Sequence, residues 1–140
     1  MIRPIALLCL IFSLAALPLR AADPAPVDVT ASVPAPKNIS VEDTDKLLKS
    51  DPAVVVLDVR TADEFKAGHI PGAKNIDFFG DDFAKRIAAL DKSKTYVVHC
   101  AAGGRSAQAC RVIRKEQLPS VYHLSDGFKG WEKAGKPVEK

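Results

Sequence analysis

Residues 99–110, HCAAGGRSAQAC, place two cysteines, two adjacent glycines and an arginine within twelve positions. Cys100 stands directly before Ala101, Ala102, Gly103 and Gly104, a run of small side chains only. Such a run leaves backbone amides free to converge on an anion, and a helix starting just after it adds its partial positive charge. The same field favours a thiolate over a thiol at Cys100, and Arg105 reinforces it. Ser106 offers a hydroxyl donor at the helix start. A nucleophile and an anion cradle therefore share one loop.

Cys110 reads differently. It falls in mid-helix with Ala107 and Ile113 at i−3 and i+3, which places it on a core face. A disulfide between Cys100 and Cys110 needs Cα atoms within about 7 Å, whereas loop residues and part of a helix separate the two. The histidines carry less: His99 reads as packing at a strand end and His69 as a turn residue, while His123 can approach the same sheet edge. None is fixed beside Cys100 as the base of a Cys–His pair, and no cluster has metal-ligand spacing.

The surrounding pattern supplies the frame. Ser40 caps a helix over VEDTDKLLKS, and Thr61-Ala-Asp-Glu64 has the form of a capping box. AVVVLDV and TYVVHC are apolar on both faces, as central strands of a parallel sheet are. A short strand is expected near Ile76 and another over SVYHL. Amphipathic helices are expected over DDFAKRIAALDK and RSAQACRVIRKEQ, and a last helical turn or two over DGFKGWEKAG. Strands alternating with helices predict an α/β sandwich with a mostly parallel sheet of about five strands. Cys100 then lies at the carboxyl edge of that sheet, where ligands bind in open parallel folds.

The 140 residues suffice for one small domain with appendages. Residues 1–21 read as an export signal: Arg3, an apolar run from Ile5 to Leu17, Pro18, then small residues. Residues 22–37, with four prolines, read as a flexible linker, and the domain is expected over 38–140. Beyond the signal, 18 Lys and Arg face 17 Asp and Glu, so the charge excludes an electrostatic footprint for nucleic acid or anionic membrane. Cys9 leaves with the signal. Two remaining cysteines in an exported chain raise the question of a disulfide, which the strand–loop–helix setting answers against.

Three stretches resemble the rhodanese family. LDVRTADEFKAGHIPGAKNID is similar to its amino-terminal signature, HCAAGGRS to its active-site loop and GFKGWEKAGKPV to its carboxy-terminal signature. They occur in family order and span the whole domain, departing at Asp126, where a second glycine is common. The small exported form resembles the periplasmic rhodaneses of bacteria. The resemblance implies a three-layer sandwich around a five-stranded, mostly parallel sheet flanked by helices. It also implies thiosulfate sulfurtransferase activity in which Cys100 takes the outer sulfur of thiosulfate as a persulfide. Cyanide, a cellular thiol or an acceptor protein then removes it. No cofactor beyond that covalent persulfide and no metal is implied, and a monomer without membrane insertion is expected. Ala101, Ala102, Gly103, Gly104 and Ser106 would hold the anion, with Arg105 assisting. Asp58, Arg60 and Glu64 read as scaffold near the site, with Arg60 and Glu64 paired at the strand–helix corner; Phe128 and Trp131 read as core.

Two rival functions follow from the same residues. A persulfide carrier fed by a partner protein would keep the loop and change the donor. Phosphatases and arsenate reductases of related shape use C-x5-R to enclose their larger anion, whereas Cys100 to Arg105 is C-x4-R.

Overall fold

The computed structural model describes residues 33–140. The expected export signal and residues 22–32 of the expected linker lie outside the described residues. The chain forms β1 (Lys37–Ile39), α1 (Val41–Ser50), β2 (Val55–Asp58), α2 (Ala62–Ala67) and β3 (Lys74–Asn75). There follow α3 (Phe83–Ala88), β4 (Tyr96–His99), α4 (Gly104–Lys115), β5 (Val121–Leu124) and α5 (Gly127–Lys133). The five strands make one sheet in the order β1-β5-β4-β2-β3, with every pairing parallel. Helices cover both faces, as the α/β three-layer reading expects.

Strands β2 and β4 lie inside the sheet and are buried almost throughout. Alternate residues feed opposite layers, as the two-residue period of a strand requires. Leu57, Val98 and Cys100 pack with Phe83, Ile87 and Ile113 on one face. Val56 and Val97 pack with Val41, Phe128 and Trp131 on the other. Phe128 and Trp131 are therefore core, as expected.

Local signals set the helix starts. Ser40 Oγ accepts the Asp43 N–H at 3.1 Å, and Thr61 with Glu64 completes a reciprocal capping box. The structure differs from the sequence reading at three places. The first strand, Lys37–Ile39, includes the last residue of the expected linker; it is an edge strand with no apolar run to announce it. Helix α3 has only six residues, because Asp81 and Asp82 sit in a turn closed by Phe83 N–H to Gly80 O and the helix ends at its cap, Ala89. On α4 the buried face runs through Ser106, Ala109, Cys110 and Ile113. Ala107, expected on that face, is exposed.

Candidate active site

Central strand β4 ends at His99, and Cys100 begins the turn into α4. The turn is shaped from outside by α5. Its Phe128 N–H donates to Cys100 O at 2.8 Å, and the Lys129 N–H donates to Ala101 O at 3.0 Å. With those carbonyls drawn towards α5, the amides that follow are left to face the sulfur. Gly127 makes the approach possible: its φ is +63°, and a Cβ there would lie 2.6 Å from both the Cys100 and Ala101 oxygens. Gly103 has φ +91° and backs onto the Ser125 carbonyl, which leaves no room for a side chain. Asp126, the departure from the family pattern, has φ −70°, a conformation open to any residue.

Burial raises the Cys100 thiol, but hydrogen bonds to the sulfur outweigh it. The Ser106 hydroxyl lies 3.5 Å from Sγ, and the backbone N–H groups of Ser106, Ala102 and Gly103 also donate. The net result holds the thiol below its ordinary value, as a nucleophile needs. Cys100 is only 2% exposed. Among the other expected cradle residues, Ala101 lines a cleft of about 270 Å³ with Arg60, Phe128 and Lys129. Gly104 is exposed, with open space where a Cβ would project.

Cys110 is the opposite case. Buried among Ile113, Ala109 and Val121, its thiol is pushed up to about 11 by burial alone. Both cysteines are free.

The charged residues correct one expectation. Arg60 does not pair with Glu64. It bonds Asp58 through Nε at 2.9 Å to each carboxylate oxygen and through Nη2 at 2.5 Å. The same Nη2 donates to Gly68 O at 2.7 Å, and the guanidinium carbon lies 3.9 Å from the Phe128 ring centroid. Asp58 and Arg60 are both buried. The short reach between residues 58 and 60 closes this pair at the end of β2, and Glu64, on α2, faces the start of α4 instead. Glu64 takes Arg105 in a two-pronged pair at 2.7 and 2.8 Å, tying the start of α4 to α2.

That pair gives acid sensitivity. The Arg105 hydrogen bond, against opposition from burial and with help from Thr61, lowers the Glu64 carboxyl from 4.5 to about 2. Since the folded value is the depressed one, the stabilisation is complete above about pH 4.5 and is lost as pH falls towards about 2. The Glu64 side chain is 36% exposed, so solvent screening limits the effect to about 1 kcal/mol. Urea midpoints at about pH 6 and about pH 3 should therefore converge in Glu64→Gln relative to the unmodified chain. Equal acid sensitivity in both proteins would remove Glu64 from this role.

The histidines are also placed. His99 is fully buried, and burial lowers its pKa. Its Nδ1 lies 3.1 Å from Cys100 O, while its Nε2 has no hydrogen-bond partner. His69 holds a turn, with Nδ1 3.0 Å from Phe65 O and its ring stacked on Phe65. His123 reaches Ser106, a contact the sequence reading did not contain. The support that α5 gives the loop was also missed, although Gly127 in the carboxy-terminal motif was a signal for it.

A lowered thiol thus stands at the carboxyl edge of a parallel sheet and faces a run of backbone amides. Residues 40–134 match the family described as Rhodanese-like domain, and the chain belongs to that family. It is 30% identical over 98 residues to the thiosulfate sulfurtransferase GlpE of Shewanella oneidensis, covering 70% of this chain and 94% of that protein. It is 34% identical over 76 residues to the uncharacterized protein YqhL of Bacillus subtilis, covering 54% of this chain. The chain spans 59% of the length of YqhL. A crystal structure of a rhodanese-related protein from Thermoplasma volcanium superposes with a TM-score of 0.66 at 30% identity, covering 74% of this chain and 97% of that one.

Proposed function

We propose that this protein is a sulfurtransferase that moves sulfane sulfur from thiosulfate to a thiophilic acceptor through a persulfide on Cys100. The Cys100 thiolate attacks the outer sulfur of thiosulfate. A new S–S bond forms, the S–S bond of thiosulfate breaks, and sulfite departs with the bonding electron pair. The acceptor, cyanide or a thiol, then attacks the terminal sulfur and returns Cys100 as thiolate. Splitting the transfer in two in this way is covalent catalysis.

The observation that carries this reading is the set of donors around Sγ: the Ser106 hydroxyl and the amides of Ser106, Ala102 and Gly103. They stabilise a negative sulfur whether it is the thiolate or, one atom further out, the persulfide. Similarity to GlpE, whose name specifies thiosulfate, supports the donor. Arg105, shared with Glu64, attracts the donor anion and steadies the leaving sulfite. With residues 1–21 acting as an export signal, the site of action is the periplasm.

Mass spectrometry after exposure to thiosulfate tests the intermediate. A gain of one sulfur atom, about 32 Da, is expected on Cys100 and is discharged by cyanide. Parallel assays with thiosulfate plus cyanide and with an aryl phosphate separate the classes. Turnover of the phosphate without turnover of thiosulfate would overturn the proposal. A sulfur adduct acquired only from a partner protein would replace it with a carrier role.

A further inference from the structure

Ser106 Oγ has three neighbours and one proton to give. Cys100 Sγ lies at 3.5 Å, Gly103 O at 3.0 Å and His123 Nε2 at 2.9 Å. Gly103 O already accepts the Ala107 N–H at 2.9 Å, and its second lone pair competes with Cys100 for the hydroxyl proton. His123 Nε2 is the third candidate, and the one whose role can change. A sulfur anion can only accept; an imidazole nitrogen accepts or donates according to where its proton sits.

The far side of the ring allows either position. His123 Nδ1 lies 3.1 Å from the side-chain oxygen of Asn38 on β1. If Nδ1 alone carries the proton, Nε2 is a bare acceptor and draws the Ser106 hydroxyl away from Cys100. If Nε2 carries it, the ring donates into Ser106 Oγ, and the hydroxyl is free to point at the sulfur. Asn38 suits both states, because its amide offers an oxygen to Nδ1–H or, turned over, an N–H to bare Nδ1. The ring also borders a cleft of about 220 Å³ whose charged members are Arg111 and Arg114 of α4. Burial lowers the His123 pKa, so the neutral ring and its two tautomers carry the argument.

We propose that His123 is a positioning residue: its Nε2–H tautomer, accommodated by Asn38, directs the Ser106 hydroxyl onto the negative sulfur of Cys100. The inference rests on Cys100 being the nucleophile of the sulfur transfer proposed above, and it concerns a residue that touches no reactant. Ionising Cys100 favours the Nε2–H form, and removing the ring's donor weakens the support of the thiolate.

Alkylation of Cys100 by iodoacetamide, followed against pH, tests this without any sulfur transfer, so its outcome stands apart from the sulfurtransferase assay. His123→Leu is expected to raise the midpoint for Cys100 by about half a pH unit. His123→Gln, which offers an amide N–H in the same direction, should restore it. In a Ser106→Ala background, His123→Leu should add no further shift. A midpoint unchanged in His123→Leu, or an equal shift with and without Ser106, would overturn the proposal. Nitrogen-15 NMR of the unmodified protein supplies a readout free of folding effects. With Cys100 ionised, the proton should reside on Nε2; finding it on Nδ1 alone would also overturn it.

Discussion

Serine in place of Cys100 should lower thiosulfate-to-cyanide sulfur transfer by roughly three orders of magnitude or more, the scale on which loss of a covalent nucleophile is felt. A hydroxyl in the same cradle has its oxygen lone pairs in place but is far harder to ionise, and it forms no persulfide. The exchange is nearly isosteric at a residue that packs with Leu57 and Val98, so thermal unfolding should change little. The measurement is the steady-state rate beside a melting curve. Substantial residual turnover with an intact fold would mean that the sulfur passes through another group.

Removing the carboxylate of Asp58 should give the largest loss of stability. Asp58→Ala leaves the Arg60 guanidinium buried without its counter-charge, and breaking a buried pair from one side costs about 3–5 kcal/mol. For a domain of this size, that lowers the melting temperature by on the order of 15 °C. The effect should reach the site. Arg60 holds Gly68 O and lies against Phe128, and the Phe128 N–H holds the carbonyl of Cys100. Replacing both partners together with apolar residues, Asp58→Leu with Arg60→Met, should recover most of the stability, because no orphaned charge remains. A melting temperature in Asp58→Ala within about 3 °C of the unmodified chain would show that the pair is not a strut.

The loop between β4 and α4 was legible because its parts are local. Cys100, the small residues after it and the start of α4 are neighbours in sequence, and a buried strand points them at the sheet edge. The caps at Ser40 and Thr61 were legible for the same reason. Glu64 was not, because its partner Arg105 lies 41 residues away. Which arginine it meets depends on how α2 settles over the sheet, whereas spacing along the chain suggested Arg60. Strand β1 was hidden for a related reason. Its three residues, KNI, carry little apolar character and become a strand only by adding to the edge of β5. The partnership of Asn38 with His123 and Ser106 exists only once that edge is formed.

The two thiols of the folded part also fix what happens under oxidants. A lowered thiol at Cys100 makes it the first sulfur to be oxidised, and a sulfenic acid there is rescued by condensing with a second thiolate. Cys110, the other cysteine among the described residues, is kept protonated by its surroundings and is a poor attacker. Among the described residues, no second thiol is therefore poised to resolve it. A small thiol added to the oxidised protein is then the expected route back to a free Cys100.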